Sequence, residues 1–527
     1  MHRTLLLMAL VAALMVPFGC SKKDDDGGGG GGGGGFGPSA VAVGSTTAGG
    51  LIMTTSDFLT WTEVTGHGIT STIDKVVMVP GHASGRMVIV IDGGVAHDTI
   101  SYSDDGGATW TAADFGTAAE LNLDPEHRTG ATGTYDDWDI QEMIFLNATI
   151  GYAIGDEDYL IIWTYDAGAT WHDLNEYQAA APTTIAFQEL QLNWTTLPAS
   201  FVPGATVAGD DATAPGAGTI ISVNIWDEEI VVEVTAPFVA GDNNVTVGTD
   251  IVPITSFTNN IWKYNFAGAD SSSAGALVGM EATTGEHTIW MAQDDWYTSS
   301  GTTGIWTITT NAPATPDVRT FTVAGPPHSQ QYSATVGEDL GENAIYTLFF
   351  FDATTGAAAT DDGIWITTDG SAWTEVGTSS SSFYGLAYSS DNLMSSGFLY
   401  SINQSLSNNE PVRIAVTYTS PTWSFGATPA LEVHGTAANV DMWYVDSPMG
   451  MFFHDSKIFC FESGDSTGYW GWSQDLNNAT FDNTYWTDTS NQYLGGTATN
   501  ATNEAYQKGV LQPTTAPTGT IYWITKK

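Results

Sequence analysis

The sequence predicts an all-β fold assembled from about seven repeated four-stranded sheets. Two observations carry that expectation. A short motif, SYSDDGGATW at Ser101–Trp110, recurs along the chain with fixed spacing. Apolar runs with strand-like alternation, such as YLIIWTYD at 159–166, lead into it and stop at clusters of Asp, Gly, Ser and Thr. A third observation sets the compartment, because the first residues form an export signal.

The signal comes first along the chain. MHRTLLLMALVAALMVPFGC starts with His2 and Arg3, is apolar from Leu5 to Phe18 and ends in Gly19-Cys20. The run is short for a membrane span and its flanks are those of a signal peptide, residues 1–19. Its final cysteine resembles the bacterial lipoprotein signal. That resemblance implies lipidation of Cys20 and an anchor in the cell envelope, with Ser21 compatible with the outer membrane; plain secretion is the alternative. Residues 20–39 then read as a tether, a polar SKKDDD followed by nine glycines. Such a segment spans about 5–6 Å times the square root of its length and buries no core. Cys460, in the apolar string IFCFES, then has no intrachain disulfide partner and reads as a buried thiol. The net charge of −46 disfavours nucleic acid and anionic lipid as partners, so the membrane is met only through the N-terminal lipid.

The motif has the form S/T-x-D-x-G-x-T-W. One copy is Ser103, Asp105, Gly107, Thr109 and Trp110; another is Thr164, Asp166, Gly168, Thr170 and Trp171. Copies one residue shorter are TSDFLTW (Thr55, Asp57, Trp61) and TTDGSAW (Thr367, Asp369, Gly370, Trp373), and SQDLNNATF (Ser473, Asp475, Phe481) is degenerate. The physics of the unit is local. Asp and Ser/Thr side chains accept hydrogen bonds from the backbone of the following turn. Glycine takes the conformation that other residues resist. The tryptophan opens the next strand and covers the turn. These acids are therefore expected to be structural. The motif resembles the Asp-box, or BNR repeat, of sialidase-like β-propellers. MIFLNATIGYAIGDEDYLIIWTYDAGATWHDL at 143–174 is most similar to the photosystem assembly-factor-like members. The resemblance implies a β-propeller and says little about function, since the family includes enzymes, receptors and assembly factors.

Against a four-stranded blade, residues 40–181 hold the first units, Asp74–Asp114 and Trp138–Asn175. Residues 258–527 hold Ala276–Ala324, Ser333–Val376, Phe383–Phe425 and Leu431–Trp486. GTIYWITKK and the N-terminal LIMTTSDFLTWTEV are expected to share a sheet, closing a ring and hiding its edges. Residues 182–257 break the rhythm, and two readings stand: an inserted β-sandwich, or one degenerate blade.

Chemistry is thin. The sialidase family implies three arginines around a carboxylate substrate, but beyond the signal only Arg86, Arg128, Arg319 and Arg413 exist, and no F/Y-R-I-P string occurs. The histidines are scattered without metal-ligand spacing, so no metal and no cofactor is expected. Asp136-Asp137-Trp138-Asp139, Asp156-Glu157-Asp158 and Asp210-Asp211 could offer oxygen ligands to calcium, or be solvated loop acids. Trp296, Trp470 and Trp472 sit in polar contexts and are candidate contacts for a protein or glycan ligand, or packing between sheets. The expected function is a surface-tethered platform for binding or assembly, with a protein or glycan at its loop face. The alternatives are a sialidase-like glycoside hydrolase and a purely structural envelope protein.

Overall fold

A computed structural model describes the chain from residue 38 to residue 526, with breaks that include 116–139, 325–343, 434–447, 476–485 and 489–518. Every element among the described residues is a β-strand. No helix among them is long and apolar enough to cross a membrane. The strands form seven antiparallel sheets and one closed barrel.

Sheet I is built from both ends of the described chain, in the order Gly519–Lys526, Ala40–Thr46, Gly49–Thr55, Thr62–Glu63. Sheet II takes Ile73–Met78, Met87–Ile91, Thr99–Ser103 and Thr111–Ala112; sheet III takes Ile140–Phe145, Gly151–Gly155, Ile161–Thr164 and His172–Asp173. Sheet IV takes Ser273–Glu281, His287–Asp294, Gly304–Thr310 and Phe321–Ala324; sheet V takes Ile345–Phe350, Gly356–Thr360, Gly363–Thr367 and Trp373–Val376. Sheet VI takes Ser382–Ser390, Ser396–Gln404, Asn409–Thr419 and Thr422–Ser424; sheet VII takes Pro448–His454, Lys457–Glu462, Gly471–Asp475 and Trp486–Asp488. Leu431–Val433, expected to open the unit of sheet VII, instead pairs with the third strand of sheet VI. The first strand of each sheet lies against the first strand of the next, and that of sheet VII against that of sheet I.

The cores explain why these sheets stack. Apolar residues of sheets I and II share one cluster (Val41, Val43 and Ile52 with Ile73, Val76 and Met78), and the same holds for II with III, III with IV, IV with V and V with VI. Sheets buried on both faces need apolar residues on both sides of each strand. The first strands of II, III and V meet this with one pattern: first, fourth and sixth residues buried, the others half-buried.

A second repeat reinforces the first. Phe145 ends the first strand of sheet III, Gly151 opens the second, and Trp171 closes the motif turn. The two rings meet edge to face at 6.0 Å. Phe350, Gly356 and Trp373 do the same in sheet V, at 5.9 Å. Each glycine is needed where the phenylalanine lies over it, because a Cβ at Gly151 or Gly356 would meet the ring at 2.6 Å. The turns between are capped alike. Asn147 Oδ1 accepts from the backbone N–H groups of Thr149 and Ile150, and Asp352 Oδ1 accepts from those of Thr354 and Thr355.

The segment that broke the rhythm is neither a two-sheet sandwich nor a degenerate blade. Its six strands close into a barrel in the order Phe187–Leu192, Glu229–Ala236, Ala217–Asn224, Thr206–Gly209, Asn244–Val247, Asp250–Asn259. Closure comes from Phe187–Leu192, which pairs with Glu229–Ala236 on one edge and Asp250–Asn259 on the other. The barrel has its own core, with Leu190, Ile220, Ile230, Val232 and Val245 fully buried. Buried Asp242 ties its loops by accepting from the N–H groups of Asp211, Gly216 and Val239.

Candidate functional site

Antiparallel alternation gives each sheet two ends. The turn between first and second strands and the turn between third and fourth strands lie at one end. The turn between second and third strands lies at the other, together with the link to the next sheet. The motif turns follow the third strand in sheets II, III and V, so they share one end.

In sheet II, Asp105 Oδ1 accepts from the Ser103 hydroxyl (2.9 Å) and the Thr109 N–H (2.9 Å), and Oδ2 from the Thr109 hydroxyl (2.5 Å). Ser103 Oγ in turn accepts from the Gly107 N–H, and Trp110 Nε1 donates to Gly107 O. In sheet III, Asp166 Oδ1 accepts from the Thr164 hydroxyl (2.9 Å) and the Thr170 N–H (2.8 Å), while Thr164 Oγ1 accepts from Gly168 N–H. In sheet V, Asp369 Oδ1 accepts from the N–H groups of Ser371 and Ala372, and Thr367 Oγ1 from Gly370 N–H. The Thr109 hydroxyl and N–H hold the Asp105 carboxyl below its usual range, and the Ala372 and Ser371 N–H groups do so for Asp369. Each carboxylate thus serves its own turn. Thr55 ends the third strand of sheet I and is buried; Asp57 and Trp61 lie outside the described residues.

Beside the first of these turns stand a serine, a histidine and an aspartate. His82 Nδ1 is 2.9 Å from Ser84 Oγ, and Ser84 Oγ donates to Asp104 Oδ1. Arg86 grips Asp104 with two parallel bonds, Nε to Oδ1 at 2.8 Å and Nη2 to Oδ2 at 2.6 Å. The guanidinium holds the Asp104 carboxyl down at about 2. A carboxylate that weak in basicity does not activate a hydroxyl at neutral pH. The cluster is a clasp: Arg86 Nη1 also donates to Asp166 O in sheet III at 3.2 Å, joining two neighbouring turns. Arg86 lies over the Tyr102 ring and Arg413 over the Phe398 ring, at 4.3 and 3.9 Å. Arg128 and Arg319 lie outside the described residues.

The opposite end is the candidate site. Between sheets I and II a polar cleft of about 380 Å3 is lined by the Ser45–Gly49 turn, Thr70–Thr72, Asp92 and Gly93. Asp74, Asp92 and Asp98 converge beside it, with one carboxylate oxygen from each lying within 4.8 Å of the others. Oxygen donors so placed have the chemistry of a hard-cation site, but Asp98 has structural work. It is 2% exposed, and its Oδ2 accepts from the Ile140 N–H at 2.8 Å, tying sheet II to sheet III. One strand along, Glu142 accepts from the Met143 N–H at 2.9 Å. Burial raises its carboxyl above the usual range, against the opposing charge of Lys75.

Of the aromatic candidates, Trp296 and Trp470 lie outside the described residues, as does Cys20, and Trp472 is placed on the third strand of sheet VII. Asp210 and Asp211 are turn acceptors in the barrel, to Asn243 and Asn244 and to Thr213 and Ala214 respectively. Sequence reasoning missed the Asp74–Asp92–Asp98 convergence. These acids stand singly in the sequence, and only strand pairing gathers them.

No family model matches the chain, and no curated protein matches it. Solved structures similar to it include the GH74 xyloglucanase from Xanthomonas campestris (11% identity, 87% of this chain and 65% of that one, TM-score 0.27). Another is PorZ, a bacterial surface component of the type-IX secretion system of Porphyromonas gingivalis (11%, 87% and 55%, TM-score 0.28). A third is the leech intramolecular trans-sialidase (10%, 74% and 64%, TM-score 0.29). The chain spans less than two thirds of the length of each. At these TM-scores the superpositions carry no weight, and the fold rests on the strand pairing itself.

Proposed function

We propose that the chain is a closed seven-bladed β-propeller, tethered at the cell surface through Cys20, that works as a binding or assembly platform. One observation carries the reading. Gly519–Lys526 hydrogen-bonds along Ala40–Thr46, so the last described strand completes the first sheet and leaves the ring without a free end. In this reading the seven sheets are blades, the motif turns are Asp-boxes on one face, and ligand is met on the other, where the polar cleft and the Asp74 cluster lie. The partner is a protein or a glycan. The membrane is met only through the lipid, nucleic acid is disfavoured by charge, and no cofactor takes part.

The test has two arms. Mass spectrometry of the exported protein should find a diacylglyceryl group on Cys20, and Cys20→Ala should release the body into the medium. Pull-down from envelope extracts should capture a partner that competes with blockage of the cleft face. A soluble wild type contradicts the tether, and capture unchanged by that blockage contradicts the platform.

A further inference from the structure

The first strands of the sheets share an irregularity. The ladder slips between Ile73 and Lys75 in sheet II, Ile140 and Glu142 in III, Ala274 and Ala276 in IV, Ile345 and Thr347 in V, Tyr384 and Ala387 in VI, and Pro448 and Gly450 in VII. Each slip lies near the start of its strand, at the end opposite the motif turns. A bulge forfeits ladder hydrogen bonds and re-aims the side chain it frees. Bending explains why the bulges exist. It does not explain what fills them. Sheets II, III and V place Asp74, Gln141 and Tyr346 there, all half-buried, directly after a buried isoleucine. Tyr346 stacks on half-buried Tyr384 of the neighbouring sheet VI, with ring centroids 4.4 Å apart and planes 27° apart. In sheet VI the bulge holds Gly385 and buried Leu386, and Tyr384 stands directly before it. A core built of Ile, Val and Leu has no need of a carboxylate, an amide and a phenol at the matching bulges of sheets II, III and V.

We infer that these bulges form the rim of a carbohydrate-binding mouth for an uncharged or amino-bearing oligosaccharide. Tyr346, with one face held against Tyr384, offers its other face to the apolar side of a sugar ring, and Gln141 and Asp74 offer groups that bond hydroxyls or an ammonium. Uronic and sialic acids are disfavoured, because Asp74 stands with Asp92 and Asp98. The inference rests on the ring reading, since sheets II, III, V and VI must face one opening.

Isothermal titration of the full chain with cellohexaose, mannohexaose, chitohexaose, hexameric chitosan and hexagalacturonate tests it. At least one of the first four should bind, and hexagalacturonate should not. Tyr346→Ala should weaken binding about tenfold or more and Gln141→Ala about threefold or more, while Tyr346→Phe stays within about threefold of the wild type. Trp423→Ala, at the motif-turn end, should leave affinity unchanged. Binding of none of the first four, preference for hexagalacturonate, or equal loss in Trp423→Ala and Tyr346→Ala overturns the mouth. Small-angle scattering of the same sample reads the ring separately. A closed-ring profile without glycan binding sinks the mouth alone; an open profile sinks the ring reading and the mouth with it.

Discussion

Trp110 and Trp171 occupy the same place in the same motif, and they should not cost the same to remove. Trp171 is fully buried. It meets Phe145 edge to face and lies in the cluster that joins sheets II and III. Truncating a buried aromatic side chain to alanine costs about 3–5 kcal/mol, because the cavity only partly collapses. Trp110 is half-buried and donates one hydrogen bond, Nε1 to Gly107 O. Partial transfer and one such bond together come to about 2 kcal/mol. A third variant sharpens the comparison. Trp171 Nε1 is buried with no hydrogen-bond partner among the described residues, so Trp171→Phe removes volume and also removes an unpaired donor. It should cost far less than Trp171→Ala. Urea unfolding followed by circular dichroism ranks the variants. A midpoint for Trp110→Ala at or below that of Trp171→Ala would refute the assignment of Trp171 as an inter-sheet wedge.

The motif turns and clasps give further predictions. Gly106→Ala meets open space and should cost about 1 kcal/mol for its positive φ alone. Gly168→Ala should cost several times more by the same urea assay, because its Cβ would also crowd Val88 at 3.0 Å and Phe145 at 3.2 Å. The Asp104 carboxyl is depressed to about 2 in the folded chain, against about 3.9 unfolded. Its contribution is present above about pH 4 and is lost as pH falls towards 2, so the gap in urea midpoint between wild type and Asp104→Asn should close over that window. Arg86→Lys should speed hydrogen exchange in the 165–170 turn nearly as much as Arg86→Ala, because an ammonium cannot reproduce the bidentate grip or reach Asp166 O. Because the barrel has its own core, calorimetry should resolve a second transition, and Leu190→Ala should lower that transition alone.

Much of the repeat was legible because it is made by neighbours in sequence. Ser103 to Trp110 folds on itself, so spacing alone announces the turn and its carboxylate's role. The Phe145–Gly151–Trp171 unit was half legible. FLNATIG and FFDATTG carry the same cap, yet one uses Asn147 and the other Asp352, and the ring that requires each glycine is seen only in space. What lies across sheets was not legible. Nothing in the strings separates Trp110 from Trp171, since burial is set by which neighbouring sheet each one meets. The barrel's strands showed as alternation, but its closure pairs Gln188 with Asn259, far apart along the chain. Bulges leave no mark in composition, so the matching places of Asp74, Gln141 and Tyr346 emerged only from the register.

The pairing of Gly519–Lys526 with Ala40–Thr46 also sets an order of assembly. Ala40–Thr46 is synthesised before every other described strand, yet its partner Gly519–Lys526 is the last described strand to be made. Until it arrives, Ala40–Thr46 keeps one edge bare while every later sheet takes shape. Loss of Gly519–Lys526 would therefore injure a sheet begun at the other end of the described chain, baring the edge of Ala40–Thr46.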